Sequence, residues 1–176
     1  IRNPNDANDL GIGMVHQHFK LVDVFSVLDN IILGAEPMNG PAVNRAAARK
    51  KVMELSERYG LKVDPDAKVE DISVGMQQRV EILKMLHRDN EILTFDEPTA
   101  VLTPQETAEL FEELKNLKNN GYTIIFISHK LNEVKEICDR ITIIRRGVTM
   151  GVHNVADVTE EDISRLMVGR DVVLKI

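Results

Sequence analysis

Three small clusters of side chains in this sequence have the means to handle a phosphate. The first is Asp96-Glu97, two adjacent carboxylates that close the apolar run Ile92-Leu93-Thr94-Phe95. Such a run reads as a buried strand of a parallel sheet, and ligands of open α/β sheets sit at the carboxyl ends of the strands. Alternation along a strand sends neighbouring side chains to opposite faces, so the two carboxylates are expected to divide the work. One can hold a hard cation such as Mg2+ through oxygen; the other can orient and polarise a water, the division that nucleotide hydrolysis requires. The second cluster is Ser73-Val74-Gly75 at the start of a helical pattern, where free N–H groups, the positive end of the helix dipole and a hydroxyl converge on an anion. The third is Ser128-His129, ending the β-branched and aromatic run Tyr122 to Ile127; its imidazole can donate to a phosphate oxygen. Taken singly, each has an ordinary explanation: a solvated strand end, a helix N-cap, a structural histidine. Their conjunction carries the argument.

These residues must be positioned by strands and helices whose signals are readable. Residues 1 to 10 are polar, with Asn3-Pro4-Asn5-Asp6 as a loop signal. Ile12 to His16 reads as a short strand. Ser26 caps a helix through Val27 to Leu33, which Gly34 stops. Ala35 to Val43 reads as a loop. A long helix runs from Asn44 to Gly60, and Leu61 to Asp71 is irregular. The Ser73 helix extends through Val80, Leu83 and Leu86. Thr103-Pro104-Gln105-Glu106 opens the next helix, with Thr at the N-cap, Pro at the first position and Glu at the third. Tyr122 to Ile127 is predicted to be a second buried strand. A helix from about Lys130 to Asp139, a hairpin over residues 140 to 152 turning at Arg145-Arg146-Gly147, and a helix starting at Thr159-Glu160-Glu161-Asp162 complete the chain. Alternating strands and helices with short loops predict a parallel α/β core.

The chain has 176 residues, enough for one domain with a real core. Its composition, 43% hydrophobic and 28% charged, is that of an ordinary globular protein, and its net charge of -6 offers no basic footprint for nucleic acid. No apolar run approaches the ~20 residues that span a bilayer. The single cysteine, Cys138, cannot form an internal disulfide; it reads as a small core residue of a protein in a reducing compartment.

Taken in order, these motifs resemble the nucleotide-binding cassette of ABC ATPases along almost the whole chain. Val15-His16-Gln17 resembles the Q-loop, Ile72 to Arg79 the signature motif, Ile92 to Glu97 the Walker B strand with its catalytic glutamate, Thr99 to Thr103 the D-loop, and Ser128-His129 the switch histidine. They are separated by 56 residues from Gln17 to Ser73, 23 from there to Asp96 and 33 more to His129. The wording Met14-Val15-His16-Gln17-His18-Phe19 and Asp96 to Pro104 is similar to importers of simple sugars and nucleosides, and Leu166-Met167-Val168-Gly169-Arg170 resembles the end of the first of two fused cassettes. The sequence departs from the pattern at three points. It contains no G-x-x-x-x-G-K-[ST] phosphate loop, so it is expected to be a cassette truncated before the Q-loop. Val74 and Met76 stand where the commoner signature has Gly and Gln, and Thr103 stands where the D-loop usually has Asp.

The resemblance implies a fold and a mechanism. Residues 1–19 and 90–176 would form an incomplete RecA-like ATPase core, and 20–89 an inserted α-helical subdomain with the signature motif. The C-terminal hairpin and helix would belong to the core. Asp96 would hold Mg2+, Glu97 would position the attacking water, His129 would contact the γ-phosphate, and Gln17 would sense both metal and water. Ser73, Gly75 and Gln77 would act in trans on ATP bound to a second cassette. Phe19 to Ile31, with apolar Phe19, Leu21, Val24 and Phe25, would dock on transmembrane permease subunits at the cytoplasmic face of the membrane. Two other readings share these motifs. DNA-repair and translation ATPases also carry them, but 56 residues without sustained heptads argue against the coiled coils of the former, and the acidic charge argues against RNA for the latter. A catalytically inert cassette fragment is the third reading, since without a phosphate loop this chain alone is expected to be inactive.

Overall fold

The computed structural model describes residues 1–169; Arg170, in the cassette-end resemblance, lies outside them. Two compact units follow one another along the chain, the first from Ile1 to Ile127 and the second from Ser128 onward.

The first unit is built on three parallel strands, β1 (Ile12–Val15), β4 (Ile92–Asp96) and β5 (Thr123–Ile127), in the order β1-β4-β5. Ile12 pairs with Ile92 and Val15 with Phe95; Ile92 in turn pairs with Thr123 and Asp96 with Ile127. Between β1 and β4 the chain makes α2 (Val27–Ile32), the two-residue strands β2 (Met38–Asn39) and β3 (Ala42–Val43), α3 (Arg45–Tyr59) and α4 (Val74–His87). Between β4 and β5 lies α5 (Pro104–Asn119). The caps are those the sequence predicts. Ser26, Asn44, Ser73 and Thr103 accept backbone N–H bonds at their helix starts. Gly60 ends α3 at φ 72°, a left-handed conformation that glycine adopts without strain.

Three local expectations change. Pro4–Asp9 is a helix, α1, not a loop. Asn3 caps it by accepting from the N–H groups of Asn5 and Asp6, and Pro4 at its first position gives up no bond there. The 35–43 loop contains the β2–β3 hairpin, turning at Gly40 with φ 61°. Finally, β5 is covered on one face only. Phe126 packs edge-on against Phe111 of α5, 5.9 Å between ring centres, while Ile125 and Ile127 remain 46% and 45% exposed. A β-branched run reports strand propensity, but whether both faces are covered depends on what packs on them.

The covered face is made by α4 and α5. Val15, Leu93 and Phe95 are fully buried there, with Val80, Leu83 and Leu86 of α4 and Leu110, Phe111 and Leu114 of α5. The closest approach is at Gly13 of β1, where an added Cβ would lie 2.8 Å from the Met85 side chain and 2.9 Å from Asn90 Oδ1. A larger residue there would force the Met85 and Asn90 side chains to move.

The second unit consists of α6 (Leu131–Ile137), the hairpin β6 (Arg140–Arg145) and β7 (Val148–Asn154), and α7 (Glu160–Val168). The hairpin turns through Arg146 and Gly147, both left-handed, and is antiparallel with an irregularity after Ile143. Lys135 of α6 donates to the Val155 and Val158 carbonyls, and Thr159 with Asp162 forms a capping box that starts α7.

Gly13→Ala should destabilise the first unit by about 1–3 kcal/mol, the usual cost of overpacking a close helix–strand contact. Thermal denaturation of the variant measures this, and a Met85→Ala second change should recover part of the loss.

Candidate functional site

The parallel register places three of the predicted residues, Gln17, Asp96 and Glu97, at one end of the sheet. Val15 pairs with Phe95, so Gln17 and Glu97 each lie two residues past a paired position. Gln17 is exposed on the bend that follows β1. Asp96 is the last residue of β4, half-buried and in register with Ile127. At Glu97 the chain turns left-handed, φ 47°. What separates the two carboxylates is therefore this change of backbone handedness rather than strand alternation. A non-glycine residue held there costs about 1–2 kcal/mol. The Glu97 N–H donates to the Ile127 carbonyl at 2.9 Å, and the Ala100 N–H returns to the Glu97 carbonyl at 3.1 Å. Pro98 and Thr99 are buried behind the turn. A strained, anchored carboxylate at a strand end is suited to orienting a water, because its direction does not depend on a mobile loop.

His129 is exposed and lies at the start of the second unit, two residues beyond β5.

Ser73, Gly75 and Gln77 lie at the start of α4; Ser73 and Gly75 line a cavity of about 360 Å3 with Thr103, the N-cap of α5, and Glu106 of α5. Ser73 Oγ accepts from the Met76 N–H at 3.3 Å. The Gln77 side-chain amide donates to the Val69 and Ile72 carbonyls, both at 3.4 Å, bracing the turn before the helix. A larger cavity of about 640 Å3, lined by Asn8, Lys51 and His87 among others, contains none of the predicted residues.

Several side-chain contacts that matter here were not legible from motif or spacing. Asn30 is fully buried; its Oδ1 accepts from the Val22 N–H at 2.7 Å and its Nδ2 donates to the Val22 and Ser26 carbonyls. Glu81 of α4 accepts the Lys20 N–H at 2.7 Å. Together they hold the segment after Gln17 while leaving Val24 and Phe25 exposed. Arg79 spans from α4 to α5, donating to Glu109 at 2.8 Å and Glu113 at 2.5 Å. The Arg79–Glu113 pair is 19% and 11% exposed. Burial pushes the Glu113 carboxyl up, against the pull of Arg79. A polar residue inside an otherwise amphipathic helix was the only sequence signal for Asn30 and Glu81, and it does not say which distant loop the side chain will reach.

The family model described as ABC transporter matches residues 3–100, and the chain belongs to that family. It is 56% identical over 172 residues to the nucleoside import ATP-binding protein NupA of Lactococcus lactis, covering 98% of this chain and 34% of that protein. It is likewise 56% identical over 175 residues to the guanosine import ATP-binding protein NupO of Bacillus subtilis, with 99% and 34% covered. The structure of cbiO1 from Clostridium perfringens, part of an ABC transporter complex, superposes with a TM-score of 0.76 at 27% identity over 93% of this chain and 66% of that one. The chain thus spans about a third of the length of the curated relatives it matches. Among the described residues no helix is long and apolar enough to cross a membrane.

Arg79→Ala should cost about 2–3 kcal/mol at neutral pH by stranding the Glu113 carboxylate between the helices. The sign with pH follows from the raised Glu113 carboxyl: the unfolded chain gives up this proton first, so stability falls as pH rises and recovers as pH falls. Denaturant midpoints should show the gap between variant and wild type shrinking as pH falls toward 4.5, the ordinary value for this carboxyl.

Proposed function

We propose that this chain is part of the ATP-hydrolysing subunit of an ABC importer for nucleosides or simple sugars. The observation that carries the reading is the strand register, which brings Gln17, Asp96 and Glu97 to one end of a parallel sheet. The likeness to NupA and NupO supports the solute class.

In this reading residues 20–89 form the helical subdomain and 1–19 with 90–176 the partial ATPase core. Asp96 and Gln17, both at the carboxyl end of the sheet, would hold Mg2+. Among the described residues no three His, Cys, Asp or Glu side chains are grouped to bind a metal unaided. This suits Mg2+, which keeps several waters and needs only one or two carboxylates besides the phosphates of its nucleotide. When bound, the ion neutralises phosphate charge. Glu97 accepts a hydrogen bond from the attacking water and aligns it with the γ-phosphorus; its fixed backbone supplies the direction. His129 donates a hydrogen bond to a γ-phosphate oxygen. Gln17 reports the state of the site to the segment that follows it. Ser73 and Gly75, with Gln77 bracing their turn, face ATP held by a second cassette, so hydrolysis depends on the two cassettes closing. The exposed Val24 and Phe25, held by Asn30 and Glu81, dock on transmembrane permease subunits, which places the protein at the cytoplasmic face of the membrane.

Glu97→Gln in the complete transporter should lower kcat by at least about a hundredfold while MgATP is still bound, because the amide cannot take up the water's proton. Steady-state hydrolysis alongside nucleotide-binding titration separates the two; undiminished turnover rules out the assigned role. The chain as given has no glycine-rich phosphate loop, and calorimetry should find MgATP binding to it weaker than about 1 mM. Micromolar binding would mean that the phosphates are held by other residues.

A further inference from the structure

The anion site at the start of α4 already faces a carboxylate. Glu106 Oε1 lies 3.2 Å from the Gly75 nitrogen and accepts its N–H, while Oε2 accepts from the Thr103 N–H and hydroxyl, each at 3.0 Å. Only glycine permits this approach: a Cβ on residue 75 would sit 2.9 Å from Glu106 Oε1. The first turn of a helix has N–H donors without intrahelical partners, and these donors make it an anion site. Here Met76 gives its N–H to Ser73 Oγ and Gly75 gives its N–H to Glu106. A second observation shows that the place is built for a polar guest. The Gln78 side chain, 1% exposed, lines the same cavity, and neither of its amide atoms has a hydrogen-bond partner among the described residues.

The neighbouring charges explain why Glu106 turns to the helix terminus. Glu106, Glu109 and Glu113 share the face of α5 that meets α4, at spacings of three and four. Arg79 answers Glu109 and Glu113. Glu106 makes no ion pair among the described residues and takes the positive end of α4 instead. Its carboxyl is held below the usual range, chiefly by the two bonds from Thr103, with Gly75 and Ser73 adding to them.

We infer that Glu106 is an intramolecular competitor for the phosphate site at the N-terminus of α4, and that an incoming phosphate must displace its carboxylate from Gly75. The inference rests on the in-trans role proposed for Ser73 and Gly75. Glu106 thereby sets nucleotide affinity without touching the reacting atoms. It also ties phosphate arrival at α4 to the start of α5, since the displaced carboxylate caps Thr103, six residues past Glu97.

Two substitutions separate competition from capping. Glu106→Gln keeps the reach and the capping box but loses the charge. Glu106→Asp keeps charge and cap, as Asp162 does for Thr159 at the start of α7, but is too short to hold Gly75 as well. In the complete transporter, both should lower the KM for MgATP about two- to fivefold, the worth of one carboxylate at a helix N-terminus. The kcat should stay within about twofold, and the thermal midpoint should stay unchanged for Glu106→Asp. Ser73→Ala tests the underlying site and should raise KM. An unchanged or raised KM in Glu106→Asp, alongside an impaired Ser73→Ala, overturns the competition. A wild-type KM in Ser73→Ala removes the phosphate site itself, and the inference with it.

Discussion

The seating of α4 on β1 at Gly13 is the constraint on which the first unit depends. With no side chain on Gly13, Met85 and Asn90 lie directly against the strand, and the whole helical insert is drawn onto one face of the sheet. That contact ties the helix and loop of residues 16–91 to the same compact unit as the strands on either side. It also fixes the axis of α4, and with it the position of every group along that helix: Gly75 at its start, Gln78 and Arg79 one turn on, Glu81 beyond them.

From that axis, polar contacts reach out in three directions. Glu81 and Asn30 hold the backbone that follows Gln17. Arg79 holds α5 through two carboxylates. Gly75 and Ser73 meet the first turn of α5 through Glu106. Asn30, Glu81 and the Arg79–Glu113 pair have little solvent around them, where an unanswered partner is costly. Through these contacts α4 is joined to the segment after Gln17 and to the start of α5. Glu106 carries one of these contacts, bonding Gly75 through one carboxylate oxygen and Thr103 through the other.

The sheet itself is treated unequally. One face is packed by α4 and α5. On the other, Met14, Ile125 and Ile127 stand exposed, although parallel strands are ordinarily covered on both sides. The strain at Glu97 lies at the end of the best-packed strand, where Leu93 and Phe95 are fully buried. A left-handed glutamate persists only where its surroundings hold it firmly, and the anchor to Ile127 with buried Pro98 and Thr99 supplies that hold.

Much of this was legible from the chain alone. Periodicity and caps located α2, α3, α4, α5 and α7, because Ser26, Asn44, Ser73, Thr103 and Thr159 satisfy backbone donors within three residues of themselves, and local chemistry is written locally. The apolar runs of β1, β4 and β5 and the order of motifs pointed to a parallel sheet with Asp96 and Glu97 at its edge. Only the tertiary structure decided the rest: the register that aligns Gln17 with Glu97, the bare face of β5, the helix at Pro4–Asp9, and the partners of Asn30, Arg79, Glu81 and Glu106. Thr103 and Glu106 show the boundary most clearly. Their capping box is a four-residue pattern and was readable as such. That the same carboxylate also reaches Gly75, 31 residues away, follows from two helices packing on one sheet face, and no local pattern carries that information.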